Sequence, residues 1–365
     1  MIMNRRRFLR TTSSAVALGA LSSKATGAFA QSSDLKVVVS GGNFGKAMIE
    51  AFVKPFEAET GIGVSPITQD VLGAQVAMMV KTNSVTVDVV ILNQSGALDL
   101  ATNGYLENID YSIFNKQELD AIFDYCKQPF GVAAYIYSLN MVYNTKKFPA
   151  GSPRPANWAE FWDVKKFPGT RTFPDGATGN QGPWEEALLA DGVPADALYP
   201  MDIDRVFASL DKIRPHIRKW WASGAEVLQI MRDNVADIGE SYDGRAVSLI
   251  EAGSPIEINR NQAKLTWDYF FIPKGSPNVK NAQRFIEFTT RAERQAAFAQ
   301  LYPEGPTNRN AYKTISETVA RRLPTYPEYM AQSITTNAKW YNEVGSDGLT
   351  NRQRLAERWK EWILR

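Results

Sequence analysis

From residue 35 onward, short apolar runs alternate with helix-period stripes, and that alternation admits few architectures. Residues 35–39 form an apolar run of strand length. Ser40-Gly41-Gly42-Asn43-Phe44-Gly45 follows as a loop. Met48, Phe52 and Phe56 then recur every fourth residue, with Ile49 and Val53 beside them, as one face of a helix that Gly61 closes. Pro55 inside this stripe removes an amide and is expected to kink the helix. Residues 85–92 and 136–143 read as further strands, and residues 265–272 as an aromatic-rich strand ended by Pro273-Lys274-Gly275. The pattern predicts an α/β fold with mainly parallel sheets.

Helix starts are marked along the middle of the chain. Asn157-Trp158-Ala159-Glu160 and Ser223-Gly224-Ala225-Glu226 are capping boxes. Asp202 precedes the stripe Ile203, Val206, Phe207, Leu210 and Ile213 as an N-cap, and Pro183 opens another helix. Neither repeats nor a low-complexity linker interrupt the pattern.

The first thirty residues follow a different logic. Asn4-Arg5-Arg6-Arg7-Phe8-Leu9-Arg10 is basic, residues 15–21 are apolar, and Ala28-Phe29-Ala30 offers small residues at a cleavage position. This is the layout of a secretory signal of twin-arginine type, expected to be removed, which directs the protein to the periplasm. Its apolar stretch is too short to span a bilayer. Residues 1–30 carry five basic residues and no acid, so removing them from 41 basic and 39 acidic residues leaves 36 and 39. The basic pI of about 8.4 is therefore a property of the leader, and no nucleic-acid footprint is expected. The remaining length suggests two domains.

Counts of reactive residues exclude several chemistries. Cys126 is the only cysteine, so no internal disulfide forms. His216 is the only histidine and follows Pro215 at a helix end, a poor place for a nucleophile's base. A zinc site built from several His or Cys is ruled out by number. No metal or cofactor is expected.

Several stretches together resemble one family. They are residues 52–62, Asp88-Val89-Val90 with Gly104-Tyr105-Leu106, Met141-Val142-Tyr143-Asn144, and residues 157–163. Further on stand residues 198–202, residues 220–225, Tyr242-Asp243-Gly244-Arg245, Ile272-Pro273-Lys274-Gly275 and Gly305-Pro306-Thr307-Asn308. In order and spacing they resemble the periplasmic solute-binding proteins of ABC importers, in the spermidine/putrescine-binding branch. The resemblance implies a two-lobed α/β binding protein of type II, with the ligand held in the cleft between lobes. Lobe 1 would comprise residues 34–137 plus 266–305, and lobe 2 residues 138–265 plus 306–365. It implies a monomeric receptor that captures a small amine, closes by hinge motion and delivers it to the permease, without catalysis.

Polyamine binders hold ammonium groups with carboxylates and methylene chains with aromatic rings. By this resemblance Asp268, four residues before the Ile272-Pro273 step in an otherwise apolar strand, is the expected ammonium partner, with Trp267 beside it. Tyr242 would form a wall of the cleft. Asp243 is either a second anion or a turn acid, and Arg245 a possible partner for it. Trp221 offers a stacking surface, and Ser223 opens a helix whose amides can donate to a ligand oxygen. Glu304 stands where relatives carry a cleft tyrosine and would suit a second positive charge. Gly41 and Gly42 replace the aromatic that usually follows the first strand, exposing amides that suit an anion. Asn93 adds a neutral polar contact. This mixture fits a diamine, the preferred reading, and also a zwitterionic amine such as γ-aminobutyrate or an aminophosphonate. Two other classes compete. A secreted carboxylate-dependent hydrolase would need Glu185 with Glu186, whose adjacent positions point to different helix faces, or Asp243 with Asp268. A ferric-ion binder would need neighbouring tyrosines, and the chain has no Tyr-Tyr pair.

Overall fold

A computed structural model describes residues 34–365. The expected signal segment, residues 1–30, lies outside the described residues.

Strand β1 (Leu35–Val38) pairs in parallel with β2 (Val64–Ile67), and backbone bonds from Val38 and Asp88 tie β1 to the run that leads into β3 (Val90–Asn93). Between β1 and β2 the predicted helix is present but divided. Gly42–Met48 is α-helical, Ile49–Val53 widens to a π turn, and Lys54–Thr60 resumes with Pro55 in its first turn. The widening immediately precedes Pro55, whose missing N–H would otherwise interrupt the ladder. Gly61 at φ +67° ends the helix in a conformation that favours glycine.

The short β4 (Lys127–Gln128) precedes β5 (Gly131–Asn144), β6 (Arg171–Pro174), β7 (Ile217–Trp221), β8 (Ile238–Tyr242), β9 (Ile256–Phe271) and β10 (Ile334–Thr335). They form one sheet in the order β10-β9-β5-β8-β6-β7, with β3 joined to β9 and β4 to β5. This sheet is mixed, where mainly parallel pairing was expected. β5 and β9, the two longest strands, pair antiparallel over most of their length, and β3–β9 and β5–β8 are antiparallel too. A run of strand length does not reveal direction, and the two long strands were visible in sequence only at their most apolar parts.

The apolar cores explain why β5 and β9 are long. One core gathers β1, β3 and Phe52, Phe56, Phe285 and Phe298 with Val132–Ile136 of β5 and the 265–271 end of β9. A second gathers Trp158, Trp184, Phe207, Trp359 and Trp362 around Met141 and Ile238, and a third packs Trp221 and Val227 against Leu139 and Ile256. Each long strand thus leaves one core and enters another, β5 between Ile136 and Leu139. A further core lies between Phe271 and the second core's C-terminal helix (Asn351–Ile363). Ala311, Ile315 and Leu323 pack on Ala296 and Ala299 of the helix Ala292–Leu301 rather than with the tryptophans of the second core. No helix among the described residues is long and apolar enough to cross a membrane.

Candidate functional site

Where the long strands pass between cores, alternation along β9 presents Asp268, Thr266 and Lys264 on one face. Asp268 is flanked by β3, where Asn93 is its register partner, and by β5, where Tyr135 is. A register shift between Ala133 and Tyr135 sets the two tyrosines of β5 over it. The Tyr135 hydroxyl donates to Asp268 Oδ2 at 2.7 Å and the Tyr137 hydroxyl to Oδ1 at 3.2 Å. Burial raises the Asp268 pKa, and the two donated bonds oppose the rise. Two neutral donors leave the carboxylate with its charge uncompensated, so it can still take a cation.

A cleft of about 640 Å³ opens in front of this group. Phe44, Tyr135 and Tyr302 wall one side, with Phe44 5.2 Å from Tyr135 and 5.4 Å from Tyr302 between ring centroids. Phe44 thus supplies an aromatic surface that the residues directly after β1 lack. Gly41 and Gly42 line the cleft mouth, and a Cβ on Gly41 would lie 3.3 Å from the Thr68 carbonyl. Glu304 enters from the segment after the helix Ala292–Leu301, which Gly305 ties to Ile136 by two backbone bonds. It is only 8% exposed, and its Oε2 has no hydrogen-bond partner. Burial, reinforced by Asp243 and Asp268, holds the Glu304 pKa well above the usual carboxylate range.

The opposite wall comes from β8 and the helix Asp243–Glu251. Tyr242 lines the cleft and its hydroxyl accepts from Gln181. Arg245 also lines it, over Gly224, where an added Cβ would lie 3.0 Å from Arg245 Nε. Among the described residues Arg245 has no hydrogen bond or salt bridge, yet it is near enough to Glu304 to draw that carboxyl's pKa down. The cleft therefore offers carboxyl groups and an uncommitted guanidinium. Phe44, Tyr135, Tyr137 and Tyr242 form a continuous aromatic path across it, with successive centroids 5.2, 5.9 and 5.9 Å apart.

Asp268, Tyr242, Glu304, Gly41 and Gly42 thus share one cleft, and the other expected site residues do not. Asp243 is fully buried and faces inward. Its Oδ1 accepts from the Ser138 amide at 3.2 Å, and its Oδ2 lies 3.9 Å from Arg260. Burial pushes its pKa up to about 6, against Arg260 and the Ser138 amide. Arg260, not Arg245, is its partner. Trp221 is fully buried, donating its indole N–H to the Glu240 carbonyl and backing Tyr242 rather than meeting the cleft. Ser223 is exposed and accepts from the Glu226 amide, so its oxygen serves the helix Gly224–Arg232. Asn93 similarly accepts from Gly96 and borders an adjoining chamber. Trp267 points to the other face of β9, against Tyr125 at 4.7 Å, as strand alternation requires.

Sequence reasoning missed Tyr135, Tyr137 and Phe44. The i, i+2 spacing of the two tyrosines was the available signal. Glu185 and Glu186 were expected to diverge, yet both reach the buried Lys264, whose Nζ lies 3.1 Å from Glu185 Oε2 and 2.9 Å from Glu186 Oε1. The lysine sits between the two helix faces, and the side chains are long enough to converge. Glu240 is 3.9 Å away. Tyr199 and Tyr341 donate to Glu185, which Lys264 and these phenols hold below its ordinary pKa despite burial. Burial and then Glu186 push Glu240 well above its own. The folded state therefore favours neutral Glu240, and stability falls as pH rises from the unfolded value of about 4.3 through the raised folded value. Glu240→Gln should raise the Tm by about 2–4 °C at pH 7 and leave it unchanged near pH 4. A lower Tm at pH 7 would show that Glu240 is needed as an anion.

Residues 51–327 match the family model described as bacterial extracellular solute-binding protein. A γ-aminobutyric acid-binding protein of Pseudomonas aeruginosa is 31% identical over 348 residues, covering 93% of this chain and 94% of that protein. Among solved structures, an ABC transporter substrate-binding protein of Bradyrhizobium japonicum USDA 110 aligns with a TM-score of 0.82 at 28% identity, over 90% of this chain and 99% of that one. A GABA receptor aligns with a TM-score of 0.79 at 31% identity, over 90% and 97%.

Proposed function

The chain belongs to the bacterial extracellular solute-binding proteins and is the substrate-binding receptor of an ABC importer, and we propose that its solute is a small zwitterionic amine of the γ-aminobutyrate kind. The observation that carries this is Arg245. A guanidinium in a cleft with no hydrogen bond or salt bridge among the described residues calls for an anion, and Asp268 across the cleft calls for a cation. A ligand bearing both charges meets both needs. The names of the two γ-aminobutyrate-binding relatives support the same class. The aromatic rings of Phe44, Tyr135 and Tyr302 suit the methylene chain between the charges. We place the receptor in the periplasm, as a monomer that hands its ligand to the permease without turning it over.

A diamine is the second reading, and Glu304 favours it, because its unpartnered Oε2 offers a place for a second ammonium. Against it, that ammonium would share the cleft with Arg245, and juxtaposed like charges cost several kcal/mol.

Calorimetric titration separates the two. γ-Aminobutyrate should bind about a hundredfold more tightly than putrescine. Proton release also separates them. Burial, Asp243 and Asp268 hold the Glu304 pKa above its ordinary range in the free receptor, and a second ammonium beside it favours the ionised form. Putrescine affinity should then rise with pH through the raised range, with a binding heat that depends on the buffer's ionisation enthalpy, whereas γ-aminobutyrate, which sets its carboxylate on Arg245, should release few protons. Tighter binding of putrescine would return the ligand to the polyamine class.

A further inference from the structure

The face of β9 that carries Asp268 continues to Thr266 and Lys264. Beyond Tyr137 and Tyr242 lies an adjoining chamber of about 80 Å³, bordered by both rings. γ-Aminobutyrate spanning Asp268 and Arg245 would not reach it. Its lining is polar but has no free charge. Lys264 Nζ is spent on Glu185, Glu186 and the Gly182 carbonyl, and Glu185 is engaged by Lys264, Tyr199 and Tyr341. Neutral hydrogen-bonding groups remain. Gln94, 6% exposed, donates its side-chain N–H groups to Thr266 and Thr336 at 3.1 Å each, which fixes its orientation and leaves Oε1 as an acceptor. Asn93 has its Oδ1 committed to Gly96 and its amide N–H groups uncommitted. Asn180 lines the chamber with no hydrogen bond to the described residues.

We propose that this chamber is a second subsite, which takes an uncharged hydrogen-bonding arm, a hydroxyl or carboxamide, carried on or next to the ligand's ammonium nitrogen. The inference rests on the reading that the ammonium sits on Asp268. Direction follows from the strand: Asn93 is the register partner of Asp268, and Thr266 stands two residues along, about 7 Å away. An arm of two or three heavy atoms from the nitrogen enters the chamber. The natural ligand is then a substituted amino acid, larger than γ-aminobutyrate, with a polar group at its amine end. A charged arm is disfavoured because no counter-charge is free, and an apolar arm because it would strand the Gln94 oxygen and the Asn93 amide.

Three probes test this on the mature receptor by calorimetry: γ-aminobutyrate, its N-(2-hydroxyethyl) derivative and its N-propyl derivative, the last two nearly identical in shape. The hydroxyethyl compound should bind about tenfold or more tightly than the propyl compound. That preference should shrink in Gln94→Leu and in Asn180→Ala, the second of which breaks no hydrogen bond among the described residues, while the affinity for unsubstituted γ-aminobutyrate reports that each variant is folded. Equal affinity for the two arms, or a preference for propyl, with γ-aminobutyrate still bound, overturns the subsite alone. Failure of all three probes to bind overturns the amino-acid reading and the subsite with it.

Discussion

Replacing Asp268 by alanine should weaken γ-aminobutyrate binding by about 2–5 kcal/mol, a roughly thirty- to several-thousandfold rise in Kd. The loss comes from the bound state. An ammonium brought into an aromatic cleft gives up its water, and only a nearby anion offsets that. Asp268 is well suited because its hydrogen-bond partners, Tyr135 and Tyr137, are neutral donors that orient it without cancelling its charge. Its removal leaves those hydroxyls at the edge of an open cleft where water can replace it, so the melting temperature of the unliganded variant should change little. Glu304 complicates the magnitude. Without Asp268 the field that keeps Glu304 neutral weakens, and Glu304 becomes a partial substitute. Asp268→Ala combined with Glu304→Gln should therefore bind more weakly than the sum of the two single effects implies, since the two groups share one ligand charge. Unchanged affinity in Asp268→Ala would remove this residue from the site.

Arg245→Ala should change what the receptor prefers, not only how tightly it binds. Loss of the guanidinium should cost γ-aminobutyrate about a hundredfold in Kd, while putrescine should gain, since a like charge has been removed and Glu304 is left without its cationic neighbour. Titration of both ligands against the variant reads the crossover. The fold should tolerate the change, because Arg245 makes no hydrogen bond or salt bridge among the described residues and Asp243 is served by Arg260. Equal loss of both ligands would mean that Arg245 shapes the cleft rather than selecting for a carboxylate.

Much of the architecture was legible because it is written in local chemistry. Ser223, Asn157 and Asp202 cap their helices as their side chains predict, accepting the amides of Glu226, Glu160 and Arg205. Asp268 stood out as an acid in an apolar strand, and the structure places it at a cleft. What local chemistry does not carry is register and pairing. Tyr135 and Tyr137 meet Asp268 only because β5 shifts register beside it. Asp243, at the start of its helix, turns away from the cleft because Arg260, on β9, faces that carboxylate. That single pairing leaves Arg245 free, and with it the balance between a diamine and a zwitterion changes. Trp267, expected beside Asp268 in the site, lies on the opposite face of β9, as period-two alternation requires. The convergence of Glu185 and Glu186 on Lys264 depends on where β9 lies relative to their helix, which spacing along one helix cannot state.

The most direct measurement is a crystal structure of the mature receptor with γ-aminobutyrate bound. The account predicts the ammonium against Asp268, within hydrogen-bond distance of its carboxylate, and the ligand's carboxylate on Arg245, with the methylenes between the rings of Phe44 and Tyr302. A bound ligand remote from Asp268, with that carboxylate still held only by Tyr135 and Tyr137, would contradict it.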